Sequence, residues 1–200
     1  ALLERHLELQ RFRQLPDLQE GELQRLLARA DEDARELLAT QGYFSPRITI
    51  ETQAAPGAAA AARVVRLRVD PGPQTRVVRA DIGFVGHSVS AQTDTPVARP
   101  GAPESGARQL QRVQRSWELP PGQPFTQAGW DAAKKESLHQ LQARRYPAAR
   151  LESSRADIDA DTSEATLSVL YDPGPPYFFG PLRVEGSQRY DPEGARRIAR

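Results

Sequence analysis

The chain has 200 residues, with 27 basic against 26 acidic side chains, a net charge of +1 and a hydrophobic fraction of 38%. That length allows one to two domains with small cores, and the balanced charge argues against a dedicated polyanion binder. Cysteine is absent, which excludes disulfides, zinc–thiolate centres and cysteine nucleophiles together, and no window reaches the about 18 consecutive apolar residues of a membrane span.

In chain order, Leu2, Leu3, Leu7 and Phe12 predict a short amphipathic helix. Ala1 leads straight into it without a signal-peptide pattern, so the chain is expected to be mature or a fragment. Leu23, Leu26, Leu27, Ala30, Ala34, Leu37 and Leu38 recur at three- and four-residue spacings and predict a longer helix, with Gly42 as its carboxyl-terminal cap. Ile48 and Ile50 alternate with Thr49 and Glu51, as do Val65, Leu67 and Val69 with Arg66 and Arg68, which predicts two half-buried strands joined by a hairpin loop over Ala54 to Ala62. Val78, Ala80, Ile82 and Phe84 predict the next strand, and a polar, proline-bearing loop follows from His87 to Gly106. Leu110, Val113 and Trp117 mark a helix ending before Pro120-Pro121-Gly122. Thr126 is placed as the amino-terminal cap of another helix carrying Trp130, Ala133, Leu138 and Leu141. Leu151 opens a strand, and Ala165, Leu167, Val169 and Tyr171 alternate along a further one.

The chain repeats itself at about one hundred residues. Asp70-Pro71-Gly72-Pro73 returns as Asp172-Pro173-Gly174-Pro175, and Gly42-Tyr43 with Arg47-Ile48 is echoed by Arg145-Tyr146 with Arg150-Leu151. Phe178 to Val184 repeats the strand at Val78 to Phe84, and Asp191-Pro192-Glu193 starts a helix with proline at its permitted first position. These copies give an α+β fold of tandem β-α-α-β-β domains, each a three-stranded mixed sheet with two antiparallel helices on one face. The expected boundaries are 1–73 for a first domain lacking its opening strand, 76–174 for a second and 177–200 for the start of a third. The chain therefore reads as cut at both ends from something longer. The third strand of each domain belongs in the middle, leaving the second strand as an edge.

Catalytic patterns are missing. His6, His87 and His139 are widely separated and none sits in an HxxxH arrangement. Gly86-His87-Ser88-Val89-Ser90 has serine where the second glycine of a nucleophile elbow belongs. Asp157, Asp159 and Asp161 resemble the start of a calcium loop, but Thr162 and Ser168 replace the required glycine and glutamate, so a solvated turn explains them better. No enzyme, cofactor, metal, nucleic-acid or small-molecule site is expected. Trp117 and Trp130 are expected in the core, and Tyr177, Phe178 and Phe179 form either an aromatic contact patch or the packing of a domain junction.

The order of elements, the Gly122-Gln123-Pro124-Phe125 lead into a helix, the Leu141 … Arg145-Tyr146 exit and the Asp-Pro-Gly-Pro bridge together resemble POTRA domains. These are the periplasmic modules of Omp85-superfamily outer-membrane assembly proteins, and the likeness is nearest to the TamA family. The resemblance implies a periplasmic scaffold that docks outer-membrane protein substrates, works with a TamB-like inner-membrane partner and is followed by a β-barrel in the full protein. A BamA-like member, a two-partner secretion transporter and a stand-alone periplasmic or divisome module are the alternatives. An open strand edge would accept an extended polypeptide through its backbone. The expected edges are Arg47, Ile48, Thr49, Ile50 and Glu51, and Arg150, Leu151, Glu152 and Ser153. The opposing reading makes charged Arg47, Glu51, Arg150 and Glu152 gatekeepers against such pairing.

Overall fold

The computed structural model describes residues 19–54, 63–86 and 106–178. The helix expected at Leu2 to Phe12, the loops 55–62 and 87–105, the elbow-like Ser88 and Ser90, His6, His87, Phe179 and the elements expected beyond it lie outside the described residues. The observed elements are α1 (Glu20–Thr40), β1 (Arg47–Ala54), β2 (Arg63–Asp70), β3 (Arg76–Phe84), α2 (Gly106–Arg115), α3 (Gln127–Gln142), β4 (Arg150–Asp159) and β5 (Glu164–Asp172).

The α1 helix buries Leu23, Leu27, Ala30, Ala34 and Leu38, one stripe at helical spacing. It ends as its sequence dictates. Gly42 takes a φ of +86°, its N–H donates to Ala39 O and the Tyr43 N–H reaches back to Leu38 O, the two bonds of a Schellman cap. The β1 and β2 strands pair antiparallel, with Ile48 opposite Val69 and Ile50 opposite Leu67. Ile48 and Leu67 pack on Ala30 and Ala34 of α1.

The larger core belongs to the β3-α2-α3-β4-β5 motif. Its sheet has the order β3-β5-β4, with β3 parallel and β4 antiparallel to the central β5. Alternation along β5 sends Ala165, Leu167, Val169 and Tyr171 inward, against Leu110 and Val113 of α2, Trp130, Ala133 and Leu141 of α3, and Trp117 between the helices. Trp117 and Trp130 are both buried, as expected, and meet edge-to-face with ring centroids 5.9 Å apart. Gln109, buried on α2, donates to the carbonyls of Gln140 and Leu141 at the end of α3.

Thr126 caps α3, its hydroxyl accepting from the Gly129 N–H at 3.0 Å. The Thr126→Ala variant is expected to lose about 1 kcal/mol of stability, read as a lower urea midpoint with an unchanged slope. The aspartates of the calcium-like stretch form the β4–β5 turn, where Asp159 Oδ1 accepts from the N–H groups of Asp161 and Thr162. Those bonds hold its carboxyl below the usual carboxylate range.

One expectation is corrected. Val78 does not face the core; it is 45% exposed, and Val77 is buried in its place. The register with β5 shifts between Val77 and Arg79, a bulge that reverses the alternation for one residue before Ala80, Ile82 and Phe84 resume it.

Tyr171 is fully buried on β5 and donates its hydroxyl to Lys134 O. Burial pushes its phenol up to about 12, against a lowering contribution from Ser137. A raised folded value means that the stabilisation is intact below the unfolded value near 10 and is lost as pH rises through about 12. A tyrosinate absorbance titration is expected to show one phenol ionising last, together with alkaline unfolding, and Tyr171→Phe is expected to remove that step.

Candidate polypeptide-docking edges

Both strands named from the sequence lie at sheet edges. The β4 strand pairs with β5 on one side and, among the described residues, with nothing on the other. Its first six side chains, from Arg150 to Arg155, are all exposed. A second bulge falls here, since the register passes from Leu151–Tyr171 directly to Ser153–Leu170 and leaves Glu152 without an opposite residue. Arg150 is drawn back over its own sheet, with Nη2 2.6 Å from Asp172 Oδ2 and Nε 3.6 Å from Glu152 Oε2. Arg155 is likewise held by Asp157 at 2.6 Å.

The β1 edge is similar in character. Arg47, Thr49 and Glu51 stand opposite Asp70, Arg68 and Arg66 of β2, so charges of opposite sign face each other at the first and last of these pairs. Ile48 and Ile50 are half-buried on the other face. The β2 strand also pairs only with β1 among the described residues.

The far edge of the larger sheet behaves differently. The Val77 N–H donates to Gln123 O, the Gly122 N–H donates to Val77 O, and the Phe125 N–H donates to Thr75 O. The loop leading into α3 therefore covers the start of β3 with its own backbone. Among the described residues, β4 has no such cover on its outer side.

The aromatic stretch is partly in view. Tyr177 and Phe178 are 56% and 71% exposed. The Tyr177 N–H donates to Arg145 O, and the Arg145 guanidinium lies 4.8 Å over the Phe178 ring. The bond from Tyr177 to Arg145 repeats the bond from the Thr75 N–H to Gly42 O. The two Asp-Pro-Gly-Pro bridges share their geometry as well. Gly72 and Gly174 have φ values of +69° and +66°, and each donates its N–H to the preceding aspartate, Asp70 or Asp172.

Sequence reasoning missed the joint between the two motifs. The α1–β1 loop, residues 41–45, inserts against the larger motif. Gln74 Nε2 donates to Gln41 O, Ser45 Oγ donates to Ala160 O at 2.8 Å, and the Phe44 and Phe125 rings meet at 6.0 Å. Gly42 is pressed so closely on the Phe125 carbonyl that a Cβ there would overlap it. The only signal was the glycine itself, already accounted for as a helix cap.

The larger motif thus sets two helices on one face of a mixed three-stranded sheet, with the loop before α3 over the start of one edge strand and, among the described residues, no partner on the outer side of the other. Among the described residues no group of three histidine, cysteine, aspartate or glutamate side chains could hold a metal ion, and no helix is long and apolar enough to cross a membrane.

Residues 2–71 match the family described as POTRA domain TamA domain 1. Among solved structures it is similar to POTRA3–5 of BamA from Haemophilus influenzae, at 16% identity and a TM-score of 0.39, over 86% of this chain and 59% of that one. It is also similar to POTRA1–3 of the periplasmic domain of Omp85 from Anabaena, at 18% identity and a TM-score of 0.36, over 74% of this chain and 50% of that one. The chain thus spans about half the length of these solved chains. No curated protein matches it.

Proposed function

We propose that the chain is a periplasmic scaffold of an outer-membrane protein assembly machine of the TamA type, and that it docks polypeptides by strand addition. Its domains are 1–73, 76–174 and the start of a third at 177–200. In the full protein it precedes a β-barrel, and a TamB-like partner anchored in the inner membrane works with it. The family match at residues 2–71 supports the TamA assignment.

The observation that carries the docking role is the β4 edge, without a partner on its outer side among the described residues, beside a β3 strand whose start is covered by the loop before α3. Backbone N–H and C=O groups along such an edge bind any extended chain with little demand on its sequence. That suits a scaffold receiving many substrates. The residues offered are Arg150, Leu151, Glu152 and Ser153, with Arg47, Ile48, Thr49, Ile50 and Glu51 on the second edge, and Tyr177 and Phe178 as an aromatic contact.

The test uses the full chain with a photo-reactive group at Ser153 or Thr49 and an unfolded outer-membrane protein as probe. Cross-links at both positions are expected, and Ser153→Pro or Thr49→Pro is expected to reduce capture several-fold because each interrupts the edge. Circular dichroism must show that the proline variants keep their fold. Unchanged capture by folded variants would remove the edge from the mechanism.

A further inference from the structure

The sheet of the larger motif has a second face, turned away from α2 and α3. Along β5, Thr166, Ser168 and Leu170 alternate with the buried residues and point to it. The strand register sets one residue of each outer strand beside them. Arg79 and Asp157 flank Thr166, Asp81 and Arg155 flank Ser168, and Gly83 and Ser153 flank Leu170. The β3 bulge is what brings Arg79 here, since unbroken alternation from buried Val77 would turn it inward. The four charged residues are exposed. Each pairs with its neighbour on the same strand, Arg79 Nε lying 2.7 Å from Asp81 Oδ2 and Arg155 Nη2 lying 2.6 Å from Asp157 Oδ1.

This pattern is its own complement. A second copy laid face to face, about a two-fold axis parallel to β5, sets its β4 over the first copy's β3 and its β3 over the first copy's β4. Arg79 then meets Asp157 of the second copy, and Asp81 meets Arg155, so both charged rows find opposite signs. In the third row the two Leu170 side chains meet. Each lies over its own Gly83, where a Cβ would come within 3.3 Å of the leucine Cδ1, and so leaves room above Ser153 for its counterpart. Glycine, serine and threonine around them keep the face flat enough for two sheets to close to the ~10 Å of a stacked pair.

We infer that this outer face is a two-fold contact between two copies of the chain. Charge selects that occupant. A partner of a single sign would meet two like charges among the four, and an apolar one would strip water from all of them without compensation. The face spans nine residues of β5 and three strands, so at ~3.3 Å per residue and ~4.8 Å per strand two copies bury roughly 800 Å² together. Stable complexes bury about 1,200–2,000 Å². The contact is therefore weak and forms where chains are concentrated.

In analytical ultracentrifugation the full chain is expected to move from monomer toward dimer between micromolar and millimolar concentration, and to do so less as salt screens the charges. Arg155→Asp is expected to raise the dissociation constant roughly tenfold or more, because the new carboxylate faces Asp81 of the second copy. Arg79→Asp, facing Asp157, repeats the test in the other row, and circular dichroism must show both variants folded. The chain has no cysteine, so Asp81→Cys and Arg155→Cys chains can be mixed under mild oxidation. The mixed disulfide is expected in excess over either like pair, because β3 lies over β4. A chain that stays monomeric at millimolar concentration overturns the inference. Dimerisation unchanged in both folded charge variants, or disulfides formed in the proportions of chance, overturns it as well. None of these results bears on peptide capture, so the edge-docking reading stands or falls separately.

Discussion

Replacing Gly42 with valine is expected to open the joint between the two motifs and lower the stability of the whole chain. Two effects act together. The residue sits at a φ of +86°, where a side chain costs about 1–3 kcal/mol, more for a β-branched one. In addition the new Cβ would overlap the carbonyl oxygen of Phe125, which is backbone and cannot rotate away. Relief requires the α1–β1 loop to withdraw, which breaks the bonds from Thr75 to Gly42 and from Ser45 to Ala160. Spin labels at Glu32→Cys and Lys135→Cys should report a narrow distance distribution in the parent chain and a broad one in the variant. A distribution that stays narrow would show that the joint does not depend on this glycine. Heat is expected to release the first motif at lower temperature in the variant, because the contacts of Gly42, Phe44 and Ser45 no longer tie it to the larger core.

Trp130→Ala is expected to cost about 3–5 kcal/mol. The indole is 5% exposed, packs edge-to-face on Trp117 and carries the Lys134 ammonium 4.8 Å over its ring. Its removal leaves a cavity under α3 that the backbone of a sixteen-residue helix can close only in part. Since the chain holds two tryptophans, the variant leaves Trp117 as sole reporter. Its emission is expected to shift to the red as water reaches the vacated site, and the urea midpoint is expected to fall in parallel. A midpoint within experimental error of the parent would contradict the placement of Trp130 in the core.

Much of the fold was legible because alternation and helical spacing speak for burial directly. Ala165, Leu167, Val169 and Tyr171 announced a central strand, and the stripe from Leu23 to Leu38 announced α1. The repeat then made the order of elements visible twice. Val78 was misplaced because a bulge is a property of two strands in register, and one strand read alone cannot show it. The candidate edges were readable from topology, since a middle third strand leaves the second outside. The joint was not. Phe44 and Phe125 are distant in sequence, Ser45 and Ala160 more so, and nothing in their local patterns announces that they meet. Gly42 illustrates the difficulty well, because a residue with one sufficient explanation conceals a second.

The Asp-Pro-Gly bridge has a consequence for how such chains arise. At both copies the preceding motif contributes to the bridge: Gly42 O accepts from the Thr75 N–H at the first, and Arg145 O accepts from the Tyr177 N–H at the second. At the first copy the following motif adds contacts of its own, since the Phe125 N–H donates to Thr75 O and Ala160 O accepts from Ser45 Oγ. A gene segment encoding one such motif and its bridge can be copied in frame with half of the coupling already in place, and the copy that follows has only to supply the matching half, as Phe125 and Ala160 do here.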